Sequence, residues 1–213
     1  KIDNWNAPSI KRMNGMFADS GMASVDLSSW QPFSPLDMET AFWHMENLVA
    51  VNISTVDVSK VTDMTGMFGS NPALETVELG TFNTESLMYA EGMFSDCGEL
   101  RELDLSNMKM GKVKSMRRMF GYDGSLQTLN VSGWDTSNVT DMSEAFAGCR
   151  MLEELDVSSF DTARVENFFG AFSGLEFVTA LDVGHFDTSA ATNMDSMFDG
   201  NFSLTTLDVS GFN

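Results

Sequence analysis

Residues Leu129 to Cys149 read LNVSGWDTSNVTDMSEAFAGC, and two periodicities run through them. In the first part Leu129 and Val131 alternate with Asn130 and Ser132, the pattern of a short strand with one buried face. In the second part Val139, Met142, Ala145 and Phe146 fall at i, i+3, i+6 and i+7, the spacing of one helix face. Thr136 or Ser137 predicts an N-cap for that helix, and Gly148 predicts its end. Working outward, the same unit recurs along the chain. Its Phe belongs to the series Phe17, Phe42, Phe68, Phe94, Phe120, Phe146, Phe172 and Phe198, spaced by 25 residues once and then by 26. A fixed period of this size marks a stacked-repeat protein, in which each unit buries its apolar side only against its neighbours.

The expected architecture is therefore an α/β solenoid: one repeat array over residues 1–213, with about eight units centred on those Phe residues. The strand pairs Val51/Ile53, Val77/Leu79, Leu103/Leu105, Leu129/Val131, Leu155/Val157, Leu181/Val183 and Leu207/Val209 predict a parallel sheet on one face. Short helices or 3-10 turns are expected on the other. The recurring Met and Phe columns read as core, Met filling gaps and Phe stacking from unit to unit. A second aromatic column runs through Trp5, Trp30, Phe82, Trp134, Phe160, Phe186 and Phe212, with Val56 and Met108 interrupting it. It reads as a hydrophobic spine, or, where exposed, as a strip for stacking on sugars or proteins.

The net charge of −19 excludes nucleic acid and anionic lipid as natural partners, since both need a Lys/Arg surface. No apolar run reaches the length of a membrane span, so the segment is not expected to insert. Both chain ends fall inside repeats, which predicts a piece of a longer protein. Cys97 and Cys149 occupy the same slot two units apart. At strand spacing that is about 9–10 Å, beyond disulfide reach, so two free buried thiols are expected.

Two surface features stand out. The outward strand position reads Asp26, Asn52, Glu78, Asp104, Asn130, Asp156, Asp182, Asp208. Like charges opposite one another destabilise a sheet, which implies compensation or use. Asp104, Asp156, Asp182 and Asp208 are weak Ca²⁺ candidates, although no dedicated calcium loop is present. No other cofactor is indicated. Against this acidity, Lys109, Lys112, Lys114, Arg117 and Arg118 fall within ten residues of one unit. They read as a binding surface for an acidic partner, or as a solvated face. Trp30 is the other binding-surface candidate, beside the two prolines of Trp30-Gln31-Pro32-Phe33-Ser34-Pro35, where the turn is expected to be irregular. No His/Cys/Ser arrangement for nucleophilic catalysis and no phosphate loop occurs, so an enzyme is not expected.

The unit resembles the BspA-like bacterial surface leucine-rich-repeat family, in the 26-residue form of Listeria-type surface lipoproteins. The family string, close to L-D-[LV]-S-x-F-[DN]-T-S-x-V-T-x-M-x-x-M-F-x-x-C, is followed almost throughout by Leu129 to Cys149. The resemblance spans essentially the whole chain. It implies a right-handed leucine-rich-type solenoid on an extracellular cell surface, with adhesion or host interaction as its role and no catalytic residues. The function expected is a non-catalytic module binding a protein or glycan of a host or neighbouring cell. The alternative is a structural spacer or filament segment that associates end to end.

Overall fold

The computed structural model describes residues 9–30 and 33–213. Trp5, Gln31 and Pro32 lie outside them. The eight Phe positions mark eight coils, numbered here in chain order from coil 1 (Phe17) to coil 8 (Phe198). Seven strands of three residues each appear: β1 Ser24–Asp26, β2 Ala50–Asn52, β3 Thr76–Glu78, β4 Glu102–Asp104, β5 Thr128–Asn130, β6 Ala180–Asp182 and β7 Thr206–Asp208. Pairing is parallel and shifted by one repeat: Val25 faces Val51, Val51 faces Val77, Leu103 faces Leu129 and Leu181 faces Leu207.

The strand ladder is interrupted. It forms sheets β1-β2-β3, β4-β5 and β6-β7, and Leu155 lies in no strand. Charge accounts for part of this. Asn52 separates Asp26 from Glu78 and donates its Nδ2 to the Glu78 carboxylate at 2.7 Å. Between β3 and β4, by contrast, Glu78 would face Asp104, and opposed like charges oppose pairing. The Asp182–Asp208 pair forms despite the same opposition.

A second ladder is unbroken. Single parallel bridges link Arg12, Asp37, Asp63, Tyr89, Ser115, Asp141, Asn167 and Asn193 through all eight coils. It occupies the segment predicted to be helical, and that prediction fails: no described residue is in an α- or 3-10 helix. The reason is the backbone on either side of each repeat Phe. The residues two before and two after it have positive φ in every coil, as in Gly15 and Asp19, Arg118 and Tyr122, and Glu144 and Gly148. A right-handed helix cannot pass through such residues.

The N–H groups then alternate. In coil 6, Met142, Glu144, Phe146 and Gly148 donate to Asn167, Phe169, Ala171 and Ser173 of the next coil, while Ala145 and Ala147 close turns onto Met142 and Glu144. The apolar residues three apart are the product of consecutive turns. Gly148 is one of the left-handed positions rather than a helix end. Thr136 is no N-cap either. Its buried hydroxyl donates to the Asp161 carbonyl at 2.9 Å and accepts from the Asp161 N–H at 2.8 Å. Thr84 and Thr188 stitch their coils to the next in the same way. The architecture is thus a parallel β-solenoid made of strands and turns.

The Phe series files along the interior. Successive rings from Phe17 to Phe198 stack with centroids 5.1–6.0 Å apart and planes within 4–19°. Phe42, Phe68, Phe94, Phe120, Phe146 and Phe172 are fully buried. The short first interval does not disturb the stack: Phe17 and Phe42 remain parallel at 5.4 Å. The missing residue falls between Phe17 and Val25, because the strand register Val25 to Val51 is already a full repeat. Cys97 and Cys149 are free and buried. Truncating Phe146 to Ala should remove two stacking contacts and leave a cavity, lowering unfolding free energy by about 3–5 kcal/mol in a urea titration. Far-ultraviolet circular dichroism should lack the helical double minimum.

Candidate binding surfaces

Part of the acidity of the chain is turn chemistry, since twelve of its 31 Asp and Glu residues accept in such turns. In the outward strand column, Oδ1 of Asp26, Asn52, Asp104, Asn130, Asp156, Asp182 and Asp208 accepts the backbone N–H two residues on, at 2.8–3.1 Å. Two further columns do the same. One is Asp57, Asp135, Asp161 and Asp187; the other is Asp37, Asp63, Asp141, Asn167 and Asn193. Each is an Asx turn, in which the side chain replaces a backbone acceptor at a corner of the coil. Only the first column stands out in the sequence as a feature; Asp-x-Ser spacing at Asp57, Asp135 and Asp187 marks the second, and the third, followed two residues on by Glu39, Thr65, Ser143, Phe169 and Asp195, carries no such signal.

Asp104, Asp156, Asp182 and Asp208 are therefore occupied in turns. Among the described residues no three His, Cys, Asp or Glu side chains converge as a metal site would require. The Ser two residues on, through its hydroxyl and then its N–H, holds the carboxyls of Asp26, Asp57, Asp135, Asp156 and Asp187 below the usual range. For Asp104 and Asp208 the N–H of Ser106 or Ser210 is the larger cause.

On the strand side lie two open grooves of about 510 and 620 Å³. Glu102, Asp104, Asn130, Glu153 and Glu154 line the first. The second crosses the break between β3 and β4, among Glu75, Glu78, Glu99, Arg101 and Glu102. Its one cation, Arg101, sits 3.8 Å from Glu99. These grooves suit a cationic surface and would repel an anionic one.

The basic stretch lies on the part of coil 5 that follows β4. Lys109, Lys112, Lys114, Arg117 and Arg118 are all exposed, while Met108, Met110, Val113, Met116 and Met119 between them are buried. The Lys109 backbone is fixed by Thr84 of the coil below. Arg118 donates to Glu144 at 2.6 Å and lies over the Tyr122 ring at 5.1 Å. The ammonium groups of Lys109, Lys112 and Lys114 and the guanidinium of Arg117 form no ion pair among the described residues. By the register that carries Tyr89 to Ser115 to Asp141, Lys112 is flanked by Ser86 and Asn138, and Lys114 by Met88 and Thr140. No acid neutralises those two from the adjoining coils at their own positions.

Trp30 does not join any surface. It is 3% exposed and packs against Phe33, ring centroids 5.5 Å apart. Phe82, Trp134, Phe160 and Phe186 of its column are buried as well, which makes the column a second spine of the core. The irregular turn expected at Gln31 and Pro32 falls outside the described residues.

The Asx turns set a pH dependence. The carboxyls of Asp26, Asp57, Asp104, Asp135, Asp156, Asp187 and Asp208 titrate lower when folded than when unfolded, so their contribution is complete above about pH 4 and is lost as pH falls through the folded values. Thermal melts should show the midpoint dropping steeply below about pH 4. The Asp156→Asn variant, which keeps the acceptor but not the charge, should retain its fold there at least as well as the parent.

The sequence matches no curated protein. It does match the profile of a repeat family described as "Mycoplasma protein of unknown function, DUF285", in three overlapping segments, residues 1–50, 36–127 and 121–213. Those segments leave no residue uncovered, and the chain belongs to that family.

Proposed function

We propose that this array is a non-catalytic binding module of an extracellular cell surface, and that the basic stretch of coil 5 is where it holds its ligand. The observation that carries this reading is the set of four exposed, unpaired cations, Lys109, Lys112, Lys114 and Arg117, within a chain of net charge −19. Lys60 is likewise exposed and outside any ion pair among the described residues, so what distinguishes the four is their clustering. They stand on one coil, between neighbours that are neutral beside Lys112 and Lys114. A row of Lys and Arg on a rigid coil suits an anionic glycan, whose charges repeat along an extended chain. An extended ligand of this kind would be held by many weak contacts along the exposed row. The resemblance to surface repeat proteins supports the extracellular setting; the family description itself assigns no role.

Heparin serves as the probe. The purified chain should be retained on a heparin column at low salt and released as ionic strength rises, because exposed charge contacts are screened. Charge reversal at Lys112, Lys114 and Arg117 together should abolish retention without changing the melting temperature. Flow-through of the unmutated chain at low salt would overturn the reading. So would unchanged retention of the triple variant.

A further inference from the structure

Three residues after each repeat Phe lies an inward slot, occupied from coil 2 to coil 8 by Met45, Asn71, Cys97, Asp123, Cys149, Leu175 and Asn201. Its polar members bond in a repeating way. Where the upper coil carries Asn, the Oδ1 accepts the slot N–H of the coil below: Met45 to Asn71 at 2.7 Å, Leu175 to Asn201 at 2.8 Å. That N–H would otherwise close a turn on the Phe carbonyl of its own coil, as Cys149 does on Phe146. The freed carbonyl needs another donor. In coil 2 it is supplied by Asn71, whose Nδ2 reaches the Phe42 carbonyl at 2.8 Å and the Phe68 carbonyl at 2.6 Å. Cys97 and Cys149 likewise donate from Sγ to the Phe carbonyl of the coil below, at 3.2 and 3.0 Å.

Asp123 repeats half of this arrangement. Its Oδ1 accepts the Cys97 N–H at 2.7 Å, which leaves the Phe94 carbonyl without a backbone N–H. Its Oδ2 is buried and receives no donor. Asp123 is fully buried, and among the described residues no cation acts on it. The titratable groups around it are the Cys97 thiol below, the Cys149 thiol above and the Asp96 carboxylate; none of these can neutralise a negative charge. Arg118, in the same coil, is engaged with Glu144 and Tyr122. An ionised Asp123 would therefore be a buried, unpaired charge aimed at acceptors, the costliest state available to it.

We propose that Asp123 is an uncharged carboxylic acid at neutral pH and donates its Oδ2 proton to the Phe94 carbonyl, as a pH-dependent latch between coils 4 and 5. It takes the place of the Asn71 amide, with one proton standing for the amide hydrogen. Burial, the largest cause, and the nearby Asp96 charge push its titration well above the ordinary range. A group whose folded value is raised gives its full stability below the unfolded value, and that stability declines as pH rises towards the folded one. The latch is thus tightest in mildly acidic solution and weakens with alkalinity, the reverse of the exposed Asx carboxylates.

The test compares melting temperatures of the whole chain and of Asp123→Asn from pH 4 to pH 9. The Asn variant should match the parent near pH 4 and melt progressively higher than it as pH rises, by several degrees at pH 8. Exposed groups that titrate in this window, His44 among them, cancel in the difference. Difference infrared spectra of the two proteins at pH 7 should show a protonated carboxylic acid band only in the parent. Asp123→Ala should melt below both with no comparable slope relative to Asp123→Asn, because it leaves a cavity in the slot and returns the Cys97 N–H to a turn on the Phe94 carbonyl, as Cys149 makes on Phe146. Parallel melting profiles for parent and Asn variant, or no acid band at pH 7, would overturn the proposal.

Discussion

The structure depends on a handover of backbone hydrogen bonds from one coil to the next. A strand of three residues is too short to hold a coil in place alone, and between several coils the strand ladder is missing. What continues through all of them is the ladder around the repeat Phe. Each alternate N–H there points along the axis and finds a carbonyl one repeat away. The two left-handed positions flanking the Phe make this possible, because they turn the chain without diverting those donors. Where they are Gly, as at Gly92 and Gly170, the geometry costs no side-chain clash. Where they are Thr40, His44 or Glu144, each costs of order 1 kcal/mol, offset by the bonds that the shape permits.

The same handover governs what fills the interior. Only side chains that leave the axial bonds intact can recur, and a flat ring placed between two left-handed residues does so. Stacked at the coil spacing, the rings keep the coils in register without needing exact strand pairing. At the corners, where the chain must reverse direction and a backbone acceptor is not available, an Asp or Asn oxygen supplies one. Part of the negative charge is thus a consequence of building corners of the coil from Asp, twelve of the 31 acids accepting in such turns.

That logic explains what could be read from the amino acids and what could not. The period, the parallel direction, the buried Phe and Met columns and the free thiols followed from spacing alone, because a core column must recur at the repeat. The helix did not survive, since turns closing on the third residue back place apolar side chains three apart just as a helix does. Gly15, Gly66, Gly92 and Gly170, always two before the Phe, carried the distinguishing signal, and their repetition is incompatible with a helix interior. Trp30 was misjudged as surface because the neighbouring prolines suggested a distorted turn; in the fold its ring simply continues the aromatic spine. The basic stretch was legible as a charge cluster, but only the register shows which of its members lack an acid beside them. Asp123 was overlooked because three of its neighbours in the slot, Cys97, Cys149 and Leu175, made the column look apolar.

Coil 5 departs from the repeat more than its basic side chains alone require. Met108 replaces the ring of the aromatic spine and Met110 the stitching Thr, as Val56 and Val58 do in coil 3. Both left-handed positions carry bulky side chains, Arg118 and Tyr122, where six other coils have Gly on at least one side. Coil 2 shares that last feature with Thr40 and His44. In coil 5 the strained pair is put to use: Arg118 lies on the Tyr122 ring and bonds Glu144, so the end of the basic stretch is held in one place. Coil 5 thus combines bulky residues at two left-handed positions with exposed cations that form no ion pair among the described residues. Elsewhere a substitution at a bonded column position, such as Thr136 or Asn71, would break a bond to a neighbouring coil. A surface site can arise only where a coil gives up some of that regularity and replaces it with contacts of its own.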